Sequence, residues 1–220
     1  MRNSLWVQCL FATVLTVAFS LSLTLARVDA SPATKSLQEF YLDATLGNTK
    51  ASAQVLVTLE NLLIQYPNDP LLTAYYGSTL SMKARDAWLP WNRQKFVAAG
   101  VSSLNKSLAL LTDEAFETPY YGLNEGIYIQ SLAAISFMHM PTHLNQRQRG
   151  LEILSAMMNS DSFHYYPFGP RAWIHIGAVK GALEMGEIQF ANRWANEMKM
   201  LAPTHPLTRE ALTLVKEAKI

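Results

Sequence analysis

The chain predicts an all-α fold built from repeated helical hairpins, and three observations lead there. Apolar residues recur at three- and four-residue steps along nearly all of the sequence after residue 31. Prolines preceded by capping side chains interrupt that pattern at intervals, and one proline–glycine spacing occurs three times. Alternating apolar runs flanked by hairpin turns, the mark of strands, are lacking.

In chain order, the first signal is N-terminal. Arg2 and the free amine supply positive charge, an apolar run extends from Leu5 to Ala26, and Val28-Asp29-Ala30 offers small residues ahead of Ser31. This is the pattern of a cleaved secretory leader over 1–30, leaving one domain at 31–220. The alternative is an uncleaved anchor, because about 20 apolar residues suffice to cross a bilayer. Cleavage implies an exported protein, periplasmic or secreted. Retention would tie it to the cytoplasmic membrane through residues 5–26. The single cysteine, Cys9, falls inside the leader, so the mature domain is expected to lack disulfides, thiolate metal sites and cysteine nucleophiles.

A helix pair is expected over 35–46 and 50–66, with Ala51, Val55, Leu56, Leu59, Leu62, Leu63 and Tyr66 on one face of the second. Hairpins follow at 70–111, 119–158 and 170–201, then a capping helix at 207–218. Asp69-Pro70 and Thr118-Pro119 each place a capping side chain before a proline at the first helical position, where the missing N–H costs nothing. Gly169-Pro170 and His205-Pro206 are weaker versions. Pro70, Pro119 and Pro170 lie 49 and 51 residues apart, and each precedes a glycine by seven residues: Gly77, Gly126 and Gly177. A small residue in mid-helix lets a neighbouring helix approach closely, which offsets a propensity cost of about 1 kcal/mol.

The unit 170–203 resembles a tetratricopeptide repeat (TPR). Trp173, Ile176 and Gly177 match that family's W-x2-L-G run, Ala191 and Ala195 approximate its small second-helix positions, and Pro203 closes a unit of 34 residues. Lys180 stands where the family usually carries an aromatic, and the two earlier units are near 50 residues, their excess falling around Ala87–Asn92 and His139–His143. The resemblance implies a right-handed superhelical stack of antiparallel hairpins whose first helices line a concave groove for a protein or peptide partner. Counting from each glycine, it places Ala74, Ser78, Ser81, Leu123, Ile127, Gln130, Ile174, Ala178 and Gly181 on the groove. That set is uncharged and largely apolar, which suits an apolar segment.

Composition narrows the function classes. Lys plus Arg is 18 and Asp plus Glu is 17; removing Arg2, Arg27 and Asp29 with the leader leaves 16 of each. A neutral chain without Lys/Arg clusters is poorly suited to a phosphate backbone, so no nucleic acid is expected. A membrane is expected as partner only if the leader is retained. Neither a Gly-x-Ser-x-Gly elbow, a His-Glu-x-x-His motif nor a phosphate loop is present, and no catalytic residue or cofactor is assigned. Asp113, Glu114 and Glu117 precede Thr118-Pro119 and read as complements to a helix N-terminus. Glu125 and Glu184 fall on expected first helices.

The alternative function is metal handling. Met138, His139, Met140 and His143 combine thioether and imidazole ligands that suit copper in an exported, thiol-free protein. The competing reading makes the methionines core filler and the histidines loop decoration, with Pro141 breaking the helix that would align them. Two aromatic segments complete the survey. Trp88-Leu89-Pro90-Trp91 is expected to tuck its rings between hairpins, since indoles are usually buried. Phe163-His164-Tyr165-Tyr166-Pro167-Phe168 is too dense to hide every ring.

Overall fold

Several helices begin where the sequence supplies a capping side chain. The computed structural model describes residues 32–33 and 35–218. The leader, its cleavage point and the alternative anchor lie outside these residues. Asp69 accepts the Leu72 N–H at 2.8 Å and Pro70 takes the first position of its helix. Asn48 accepts from both Lys50 N–H and Ala51 N–H at 3.1 Å, and His205 Nδ1 accepts from Leu207 N–H ahead of Pro206. Such caps satisfy donors that a helix start leaves unpaired.

The fold is all-α. Eleven α-helices occur among the described residues: α1 Lys35–Thr45, α2 Thr49–Gln65, α3 Pro70–Asp86, α4 Pro90–Ala109, α5 Asp113–Glu117, α6 Glu125–Met138, α7 Arg147–Met158, α8 Asp161–His164, α9 Phe168–Met185, α10 Ile188–Leu201 and α11 Pro206–Glu217. Consecutive helices pair as α1 with α2, α3 with α4, α6 with α7 and α9 with α10, while α11 packs on α9 and α10. Among the described residues no helix is long and apolar enough to cross a membrane.

The second unit departs from expectation at its start. Thr118-Pro119 does not open a helix. Pro119–Tyr120 (β1) instead pairs antiparallel with Leu123–Asn124 (β2) around Tyr121 and Gly122, both at positive φ. Helix α6 then begins at Glu125, where Asn124 caps the Ile127 N–H at 2.7 Å. The dipeptide Tyr121-Gly122 decides this, because left-handed residues favoured by glycine cannot continue a helix.

The three glycines are tight contacts, each of a different kind. A Cβ on Gly77 would lie 2.9 Å from the Leu104 nitrogen and 3.0 Å from the Gly100 carbonyl, so α3 meets its own partner α4 backbone to backbone. On Gly177 it would lie 2.6 Å from Ile135 Cδ1, placing α9 against the preceding first helix α6, and on Gly126 it would meet the Phe116 ring of α5 at 2.6 Å. Gly150, which the repeat spacing does not contain, is as close to α6: 2.5 Å from the Ala134 carbonyl. The core runs continuously through Leu59, Tyr75, Ile129, Phe163, Ile174 and Trp194, all fully buried.

Candidate functional site

Helices α6 and α9 run side by side in the same direction. Tyr128 stacks near Trp173, Gly177 meets Ile135, Gly181 meets Met138, and His139 meets Glu184. Helix α3 lies along the other side of α6, with α1 across it through Tyr41. Together these four helices and the start of α4 enclose a groove of about 1060 Å³. Its walls are mostly apolar: Leu42, Met82, Val97, Leu132, Ile135 and Trp173 among them.

One end of the groove is aromatic. Tyr41, Tyr75, Tyr120, Tyr128 and Trp173 form a chain of rings with centroids 4.7–5.9 Å apart. The hydroxyls are paired internally: Tyr75 with Tyr120 at 3.0 Å and with Tyr128 at 2.8 Å, and Tyr41 with Ser78 at 2.7 Å. Ser136 donates to the same Ser78 oxygen at 3.0 Å. Burial pushes the phenols of Tyr41, Tyr75, Tyr120 and Tyr128 above the ordinary tyrosine range, so they stay neutral hydrogen-bonding groups. What this end offers a ligand is fixed aromatic surface, not an acid or a base.

The other end is charged, which the expected groove set did not contain. Arg85, Arg93, His139 and Glu184 line it. Arg85 Nε bonds Asp86 at 2.8 Å, Arg93 donates to the Ala87 carbonyl at 3.0 Å, and His139 Nδ1 lies 2.8 Å from Glu184 Oε2. Glu125 lies elsewhere, at the start of α6. Burial, reinforced by the charges of Asp69 and Glu114, pushes its carboxyl up to about 7.

Of the nine residues expected on the groove, Ser78 and Ser81 line it. Ala74, Ile174 and Ala178 are fully buried, Gly181 lies under Met138, and Leu123 sits on β2. Ile127 and Gln130 face the opposite side of α6, in a smaller depression of about 350 Å³ with Phe116, Ile153 and Met157. The reason is rotational. Gly77, Gly126 and Gly177 share a spacing but touch different neighbours, so a fixed offset from glycine reaches the groove at two of three positions on α3 and misses it on α6 and α9. The residues that do line it on α6 are Tyr128, Leu132, Ile135, Ser136 and His139. Nothing in the sequence marks that face, because α6 is apolar on all sides.

The Met/His segment is dispersed. Met138 is buried against Gly150 and Gly181, Met140 is buried at the groove end, His139 pairs with Glu184, and His143 is exposed on a 3-10 turn, Thr142–Leu144. Among the described residues no group of three or more His, Cys, Asp or Glu side chains is placed to hold a metal ion.

The two aromatic segments have different fates. Trp88 and Trp91 are 91 % and 66 % exposed, contrary to the expectation that they plug the stack. Trp88 lies in the short loop joining α3 to α4 and Trp91 in the first turn of α4. In the second segment Phe163 is fully buried and Tyr165 is 84 % exposed. Phe163 carries the Arg171 guanidinium 4.8 Å over its ring, and His175 beside it bonds Glu197 at 3.3 Å. Burial opposes the Glu197 carboxylate. The His175 hydrogen bond and the charges of His175, His164 and Arg171 outweigh it and hold its pKa below the ordinary glutamate value.

No protein-family model, curated protein or solved structure matches this chain.

Proposed function

We propose that the chain is an exported, TPR-like binding or scaffold protein that holds a peptide or protein segment in the groove between its first helices. The groove itself carries this reading: about 1060 Å³, walled mainly by apolar side chains, aromatic at one end and charged at the other. An extended segment fits such a channel by burying apolar side chains against Trp173, Leu132 and Ile135 and meeting the charged end with a polar group. The side-by-side arrangement of α3, α6 and α9, each with a following partner helix, supports a right-handed stack of antiparallel hairpins. Export rests on the sequence of residues 1–30 alone. N-terminal sequencing is expected to find Ser31 first; a chain retaining Leu5 in a membrane fraction would favour the anchor. The groove is assigned to binding, with no catalytic role for its residues.

The test is a photo-crosslinking amino acid placed at Leu42 or Ser81 on the groove, and at Ala98 on the exposed outer side of α4, in the native cell. The two groove positions are expected to capture the same protein, identified by mass spectrometry, and Ala98 to capture none. Equal capture from all three positions sinks the reading.

A further inference from the structure

We infer that the corner between α3 and α4, the connecting loop with the first residues of α4, is a docking tip for an anionic bilayer surface. The tip is Trp88-Leu89-Pro90-Trp91, with Leu89 half-buried and both indoles out in solvent. This chain buries its other described indoles, Trp194 completely and Trp173 in part, so exposure here is not forced by a lack of core. Indoles with one apolar and one hydrogen-bonding edge are the side chains that favour the headgroup region of a membrane.

Charge supplies the second argument. Lys83 and Arg85 lie in the last turn of α3, and Arg93 and Lys95 in the first two turns of α4, with Asp86 the only acid between them. These four cations fall within residues 83–95, two on each side of the loop. Asp86 pairs with Arg85, and Glu184, facing Arg85 and Arg93 across the groove, is taken by His139. A surplus of positive charge therefore surrounds the tryptophans in a chain whose formal net charge is only +1. Lys83 and Arg85 suit a helix C-terminus, but Arg93 and Lys95 sit where the helix field disfavours cations, so helix stability does not account for them. Exposed indoles ringed by Lys and Arg complement an anionic lipid surface, where aromatic insertion and headgroup attraction add. Arg93 holds the loop by bonding the Ala87 carbonyl, presenting the tip with little ordering left to do. This inference does not rest on the groove reading, although Arg85 and Arg93 also line the charged end of the groove.

The full chain is mixed with phosphatidylcholine vesicles carrying brominated acyl chains, with or without phosphatidylglycerol, and tryptophan quenching is followed. Because the leader carries Trp6, the signal of the tip is the difference between wild type and W88A/W91A. That difference is expected to be large on phosphatidylglycerol vesicles, small on phosphatidylcholine alone, and reduced by salt. R93E/K95E keeps both indoles, and is expected to weaken the tip signal by about tenfold or more while leaving helical circular dichroism unchanged. Equal quenching of wild type and W88A/W91A overturns the inference. So does quenching indifferent to lipid charge, and so does a tip that crosslinks to one specific protein while staying unquenched by lipid.

Discussion

The segments 88–91 and 163–168 are alike in composition and differ in outcome, since only the second sends a ring, Phe163, into the core. Both join helices, both pack several aromatics into a few residues, and both contain proline. In the first, two indoles stand in solvent. In the second, Ser160 caps a short helix, α8, by accepting the Phe163 N–H at 3.2 Å, and that turn aims the Phe163 ring into the core. There Arg171, 3 % exposed, lies over the ring, and its charge faces Glu197 and His164. The short helix thus aims Phe163 inward and Arg171 covers the ring, its guanidinium answered by the charge of Glu197 and a contact to His164 Nδ1 at 3.4 Å. Trp88 and Trp91 stay exposed, and the neighbouring Arg85 and Arg93 bond Asp86 and the Ala87 carbonyl instead of covering a ring.

The largest expected effect is on the buried side of this comparison. Phe163→Ala removes a fully buried ring and uncovers the face of the Arg171 guanidinium. Such truncations cost about 3–5 kcal/mol, which in a chain of this size lowers Tm by roughly 10 °C. Thermal unfolding followed by circular dichroism checks this. A loss no larger than that of Tyr165→Ala, whose ring is in solvent, would mean that α8 is not part of the core.

Next come the glycines, where the decisive feature is again what the neighbour can do. Leucine at Gly77 meets the backbone of α4, which cannot move aside, and is expected to cost about 3 kcal/mol. At Gly177 it meets the tip of Ile135, which can change rotamer, and the cost is expected nearer 1 kcal/mol. At Gly126 the Phe116 ring is partly exposed and can swing away, so the effect is smallest of the three. Thr45→Leu on the exposed groove wall is the control and is expected to be neutral. Equal Tm losses at all three glycines would break this ranking.

These contrasts show what the sequence carries. Helical periodicity, the Asp69-Pro70 and His205-Pro206 caps and the pairing of consecutive helices were all readable, because each depends on residues close in the chain. The glycine spacing was readable too, but not the rotation of each helix about its axis, which is set by neighbours distant in sequence. Hence Ser78 and Ser81 were found on the groove, while Tyr128, Leu132 and Ile135 were missed. Helix α6 is surrounded by α3, α4, α7 and α9, so apolar residues cover every side and no polar stripe marks the groove. The exposure of the tryptophans is not legible in the sequence for a related reason: average burial of an indole says nothing about whether a particular loop has a neighbour within reach.

Glu125 extends the comparison to a carboxylate whose neighbours do not complete it. Asp69 and Glu114 add like charge, and burial disfavours the ionised form. The folded protein therefore keeps this proton up to about pH 7, whereas the unfolded chain releases it near 4.5. Between those values the folded state binds more proton, so this group's contribution to stability falls as pH rises through the window. Glu125→Gln removes that loss. It is expected to stabilise the protein above pH 7 by on the order of 1 kcal/mol, after allowing for solvent screening, and the gain is expected to fade towards pH 4.5. Denaturant titrations at both ends of the window test it. A gain that is the same at both ends would show that the carboxyl does not titrate differently on folding.

The smallest expected effect is on the exposed segment, and it is the most discriminating. Trp88→Ala and Trp91→Ala remove two of the largest side chains in the domain, yet each is expected to change stability by no more than about 0.5 kcal/mol, because both residues stay mostly in water on folding. Truncating an indole that packs between hairpins would instead cost about 3–5 kcal/mol, as for any large core residue. The gap between those figures exceeds the error of a denaturant titration on a chain of this size. Trp194→Ala, in the same experiment, supplies the buried standard, since that ring is fully enclosed beside Phe190. If Trp88→Ala falls nearer the Trp194→Ala value than the wild type, the loop folds back onto the domain in solution. The contrast with 163–168 would then vanish, and with it the case for a membrane-facing tip. If both loop variants unfold with the wild type, the indoles contribute nothing to the fold, and their reason for being on the surface must lie in what they touch outside it.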